Sequence, residues 1–87
     1  MSHSKKKAAE NAEYYHTLAV NIAHYRKQAG FTQAVLAEKV DISIPYLGAM
    51  ESRYKPKPCS METLFDLARA LNISPHLLLK PLPEETE

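Results

Sequence analysis

The chain has 87 residues, 45% of them hydrophobic, with only two glycines and a formal charge of +1. That suffices for one small domain with one core, weighted toward helices, and is not the strongly basic balance of a histone-like protein. The single Cys59 excludes an internal disulfide, no run of about 18 apolar residues exists to span a membrane, and the start M-S-H-S-K-K-K lacks the apolar stretch of a signal peptide, so a cytoplasmic protein is expected.

Residues 1–7 form a basic arm carrying Lys5, Lys6 and Lys7. A domain is expected over 8–80. Its first helix is predicted over about 8–29, with Tyr15, Leu18, Ile22, Tyr25 and Ala29 recurring at three-and-four spacing as an apolar stripe. Gly30 is placed to end it in the left-handed conformation, and Phe31 then plugs the core. Thr32 reads as the N-cap of a second helix, Gln33 to Lys39, which carries Ala34, Leu36, Ala37 and Val40. Asp41 sits where a tight turn needs a left-handed residue, which Asp tolerates better than most. Ser43 caps a third helix with Pro45 in its first turn, running to about Ser52 and burying Leu47 and Met50.

The loop R-Y-K-P-K-P-C that follows is rigid and cationic, with Cys59 at its end. Ser60 caps a fourth helix, with Glu62 in its first turn and Leu64, Phe65, Leu67, Ala68 and Leu71 facing inward. Asn72 can take the left-handed position at its end. Ser74-Pro75 opens a fifth short helix over about 76–80, and Pro81 and Pro83 stop regular structure ahead of an acidic tail, 81–87. Leu77, Leu78, Leu79 and Leu82 are more than one short helix can bury. Some cover the core, and Leu77, Leu78 and Leu82 are the candidates for a dimer seam.

The stretch from Phe31 to Lys57 is two short helices set at an angle by a tight turn, with Leu36, Ala37, Val40, Ile42, Leu47 and Met50 inward and Ala37 small at the closest approach. This resembles the helix-turn-helix of the phage-repressor-like (lambda repressor, or XRE) family of DNA-binding domains. The match runs without a gap from about Leu18 to Leu79. It is carried by Ile22, Arg26, Gly30, Phe31-Thr32-Gln33, Leu36-Ala37, Ile42-Ser43, Tyr46-Leu47, Glu51, Leu64 and Ala68-Arg69-Ala70-Leu71. The resemblance implies an all-α, compact five-helix fold. It implies sequence-specific binding of double-stranded DNA by a transcriptional regulator, a repressor acting as a homodimer, in a bacterial cytosol or nucleoid or encoded by a phage.

Residue roles follow from the resemblance. The helix over 43–52 would lie in the major groove with Ile44, Pro45, Tyr46, Gly48 and Ala49 toward base edges. Gln33 would meet phosphate at the positive end of its helix. Thr32, Ser52, Arg53, Tyr54, Lys55 and Lys57 would add backbone contacts, and Lys5, Lys6 and Lys7 could reach round the duplex. Arg26 and Glu51 would form a structural ion pair. The sequence departs from the family pattern on the base-facing surface. It offers no Arg, Lys, Gln or Asn there, whereas direct readout usually rests on those side chains. Ile44 and Ala49 could pack on thymine methyls, and Tyr46 could donate one hydrogen bond.

That departure keeps two alternatives open. One is a protein-interaction module, adaptor or antitoxin-like, using the same apolar helix face for a protein partner. The other is a non-specific DNA binder with steep salt dependence. Catalysis is not expected: His3, His16, His24 and His76 are scattered without metal-ligand spacing, one cysteine completes no zinc set, no glycine-rich phosphate loop exists, and no cofactor is implied.

Overall fold

The computed structural model describes residues 10–83; Lys5, Lys6 and Lys7 of the basic arm and the acidic residues beyond Pro83 lie outside them. The described residues form four α-helices, α1 (Ala12–Gln28), α2 (Gln33–Lys39), α3 (Ile44–Met50) and α4 (Met61–Leu71), and a single 3-10 turn, Pro75–Leu78.

Three of the four helices, α2, α3 and α4, start where a short polar side chain satisfies an orphan amide. The Thr32 hydroxyl accepts from the Val35 amide, Ser43 from Tyr46 and Ser60 from Thr63, each at 3.1 Å. Ends are made by left-handed residues. Gly30 has φ +80, and its amide and that of Phe31 return to the carbonyls of Lys27 and Arg26. Asp41 (φ 58) and Asn72 (φ 59) turn the chain after α2 and α4.

α3 stops at Met50, one to two residues before the expected end at Ser52. The Ser52 hydroxyl instead accepts from the Tyr54 and Lys55 amides at 3.3 Å, and this local turn bends the chain away from the helix axis.

The core is one cluster built from Leu18, Ile22, Leu36, Ala37, Val40, Leu47, Met50, Leu64, Leu67, Ala68, Leu71 and Leu78. Burial of each leucine contributes about 1.5–3 kcal/mol. α2 rests on α3 through Ala37, which is 1% exposed. Lys39 lies over the Phe31 ring at 5.1 Å, so the ring that closes the α1–α2 corner carries a cation on its outer face.

Three expectations are corrected. The fifth helix is only the turn Pro75–Leu78, because the chain's carbonyls there are claimed from outside. The Asn21 side-chain amide donates to the carbonyls of Leu77 (3.2 Å), Leu78 (2.9 Å) and Lys80 (2.8 Å), in place of a continuing helical ladder. Leu78 is fully buried and belongs to the core, which removes it from any dimer seam; Leu77 and Leu82 are half-buried. Phe65 and Ala29 do not face inward. Phe65 is 41% exposed at the edge of α4's apolar arc, and Ala29 is exposed where α1 has run past the core. Among the described residues no helix is long and apolar enough to cross a membrane.

Candidate functional site

The site is the outer face of α3 and the segments on either side of it. Two of its seven positions, Leu47 and Met50, point into the core and anchor the helix. Ile44, 49% exposed, and Pro45 stand out at its start, and Tyr46, Gly48 and Ala49 are half-buried. Ser43 fixes the first turn at its N-terminus. With Pro45 lacking an N–H and the Tyr46 amide taken by Ser43, little of this end's donor capacity is left free, and what it presents is the positive end of the peptide dipoles.

The other end of α3 is held by a three-residue network. The Arg26 guanidinium donates to both oxygens of Glu51, Nε to Oε2 at 2.8 Å and Nη2 to Oε1 at 3.0 Å, and its Nη1 donates to the Phe31 carbonyl at 2.9 Å. The two side chains are only 10% and 5% exposed. Gln33 completes the network by donating from Nε2 to Glu51 Oε1 at 2.9 Å. The network ties the end of α1, the start of α2 and the end of α3 into one geometry. A bidentate pair of this kind fixes orientation as well as distance.

The Gln33 carboxamide lies along α3, and a Cβ added at Gly48 would stand 3.7 Å from its Oε1. Gly48 is therefore a notch on the outward face, floored by the Gln33 amide. The amide retains one N–H and its carbonyl oxygen for an outside partner.

The loop after α3 supplies the charge. Arg53, Lys55 and Lys57 are all exposed, and Tyr54 is 94% exposed. The Lys57 amide donates to the Ala49 carbonyl at 3.0 Å, so the loop folds back to the end of α3, while Arg53, Tyr54 and Lys55 border a groove against Ala12, Glu13, Tyr15 and His16 of α1. Cys59, at the end of the loop, is half-buried against the core; burial pushes its thiol up and keeps it neutral. The structure thus brings Ile44, Pro45, Tyr46, Gly48, Ala49, Ser52 and the loop residues to one region, with Thr32 and Gln33 at the start of the neighbouring α2. Leu77 lies on a different part of the fold, in the turn that packs against α1 and α4, and Leu82 is half-buried beyond it.

One contact and one residue that sequence reading missed shape this arrangement. The Gln33–Glu51 bond had no signal beyond the polarity of both positions. Asn21 is fully buried between the apolar Val20 and Ile22, a setting in which an amide signals a buried hydrogen-bonding role. Among the described residues no group of three or more His, Cys, Asp or Glu side chains could hold a metal ion.

Comparison with known proteins gives a consistent set of likenesses. The family profile described as helix-turn-helix matches residues 22–78. The HTH-type transcriptional regulator SinR of Bacillus licheniformis is 35% identical over 66 residues, covering 76% of this chain and 58% of that protein. The chain therefore spans little more than half the length of that relative. Among solved structures, the N-terminal DNA binding domain of SinR from Bacillus subtilis superposes with a TM-score of 0.69 at 32% identity, over 79% of this chain and 99% of that one. A crystal structure of SinR, the master regulator for biofilm formation, in complex with DNA gives a TM-score of 0.65 at 32% identity, over 72% and 98%.

Proposed function

The chain belongs to the helix-turn-helix family, in its phage-repressor-like branch, and on that premise we propose that it binds double-stranded DNA as a transcriptional regulator with α3 in the major groove. The observation that carries the reading is the pairing of two features at one place. An uncharged, small-residue helix face is fixed end-on by Arg26 and Glu51, and a loop of exposed Arg53, Lys55 and Lys57 is folded back to the end of that helix. The face meets base edges and the loop meets the phosphates that flank them, which is the division of labour between specifying and positioning contacts. Likeness to a relative solved with DNA supports this reading.

Ile44 and Ala49 then pack on thymine methyls, Tyr46 offers one donor, and the Gly48 notch lets the helix approach closely. Sequence preference leans on methyl contacts and duplex shape more than on bidentate hydrogen bonds. One short helix covers only a few base pairs, so the working unit is a homodimer on a two-part operator, repressing by occupancy in the cytoplasm.

The test is selection of bound duplexes from a random DNA pool by the purified chain at near-physiological salt. The expected result is an enriched palindrome rich in T·A pairs. Retention without enrichment would replace the reading by a non-specific binder. No retained DNA would overturn it in favour of a protein partner on the face from Ile44 to Ala49.

A further inference from the structure

α4 is sharply two-sided. Leu64, Leu67, Ala68 and Leu71 enter the core, while Met61 and Phe65, one turn apart on the outward face, are 60% and 41% exposed. Large apolar side chains in this pattern make an unpartnered stripe. It is flanked by Glu62 near the start of the helix and Arg69 near its end, both exposed and two turns apart.

The charges decide what covers the stripe. A contact between two copies related by a two-fold axis uses the same patch twice, so the patch must complement itself. Laid antiparallel, α4 of one copy sets Glu62 against Arg69 of the other, twice over, and brings the two Phe65 rings together near the axis. Laid parallel, like charges would meet. Arg69 Nη1 donates to Asp66 at 3.1 Å, on the side of α4 that borders Lys39 and Asp41. That exposed intrahelical pair is worth little and leaves other guanidinium donors free.

We propose that the outward face of α4, centred on Phe65, is the surface through which two copies of the chain pair, with Glu62 and Arg69 exchanged across the axis. The proposal rests on the dimeric reading above and relocates its interface. The structure takes Leu78 away into the core, whereas Met61 and Phe65 are available. One short helix face is well below a standard interface of about 1,600 Å². The dimer is accordingly weak in free solution and becomes dominant when two half-sites hold two copies at high effective concentration.

The test is disulfide trapping on the full chain in a Cys59→Ser background, with folding checked by circular dichroism. Phe65→Cys should cross-link under mild oxidation about tenfold more than Ile44→Cys, a comparably exposed control on another face. In the Phe65→Cys chain, Glu62→Arg alone and Arg69→Glu alone should each cut the yield about tenfold by setting like charges together, and the double exchange should restore it. Sedimentation of the same charge variants with Phe65 retained gives a second reading of the same order of effects. Equal yields at Phe65 and Ile44, or single reversals without effect in both measurements, would overturn the proposal. Retention of random-sequence duplex DNA, scored in parallel, separates the two readings. A chain that holds duplex but fails to trap loses this interface only; one that traps but holds no duplex keeps the interface and loses the DNA-binding function.

Discussion

Arg26 and Glu51 lie 25 residues apart and meet through two parallel hydrogen bonds of 2.8 and 3.0 Å, nearly closed to solvent. Neither is in the core cluster, yet together they fix the angle at which α3 leaves the domain. Removing one partner strands the other with its desolvation cost uncompensated. Glu51→Ala is expected to lower stability by about 3 kcal/mol, and Arg26→Met with Glu51→Leu together should recover most of that loss. Urea unfolding of Arg26→Met, Glu51→Leu and the double variant, beside Glu51→Ala, checks it. Additive losses would show that the pair is not coupled.

Asn21 donates to three carbonyls from a site with no exposure, while its own Oδ1 has no partner. The two N–H groups of this amide are shared among the three carbonyls, so Asn21→Ala should cost about 2 kcal/mol, from hydrogen bonds worth roughly 1 kcal/mol each. Amide exchange should accelerate most at residues 77–80. Uniform acceleration across the domain would mean that the side chain holds no particular segment.

Gly48 occupies a helix interior, where glycine is costly, and a methyl group there would meet only ordinary contacts with Gln33. Gly48→Ala is therefore expected to stabilise the fold by about 0.5–1 kcal/mol. If the notch is needed for approach to the groove, duplex binding falls in the same variant. A melting temperature that rises together with unaltered binding would remove Gly48 from the interface.

Arg53→Ala and Lys55→Ala should weaken binding about equally on every duplex. Each should flatten the slope of log affinity against log salt by about one unit. Titrations at several salt concentrations decide this, since a slope that stays put would take that residue off the phosphates.

Ile44→Ala should act differently, changing which duplexes are preferred more than how tightly the average duplex is held. Comparing T·A-rich with G·C-rich competitors is sufficient. A uniform loss on both would assign Ile44 to packing.

What could be read from the residues beforehand was mainly local. Thr32, Ser43 and Ser60 announce helix starts because the capping bond closes within three residues, and Asp41, Asn72 and Gly30 announce turns because few residues take positive φ. Phe65 misled because the apolar arc of α4 is wide: Phe65 follows Leu64 by about 100° and falls just outside the buried sector. The end of the chain misled for another reason. The carbonyls of Leu77, Leu78 and Lys80 are taken by Asn21, more than fifty positions earlier, and Pro81 brings no amide to continue a helix. Periodicity registers apolar residues and has no term for a buried amide. The outward residues of α3 were legible as a set, but the folding of Gln33 onto Glu51 was not, because it needs two helices placed in space.

The Asn21 clamp has a mechanical consequence. Hydrogen bonds from one side chain in the middle of α1 grip the backbone at Leu77, Leu78 and Lys80, while α3 rests chiefly on α2. A pull on the chain beyond Lys80 is taken up by α1 and α4, against which the Pro75–Leu78 turn packs, and α3, which packs chiefly on α2, lies off that line of load.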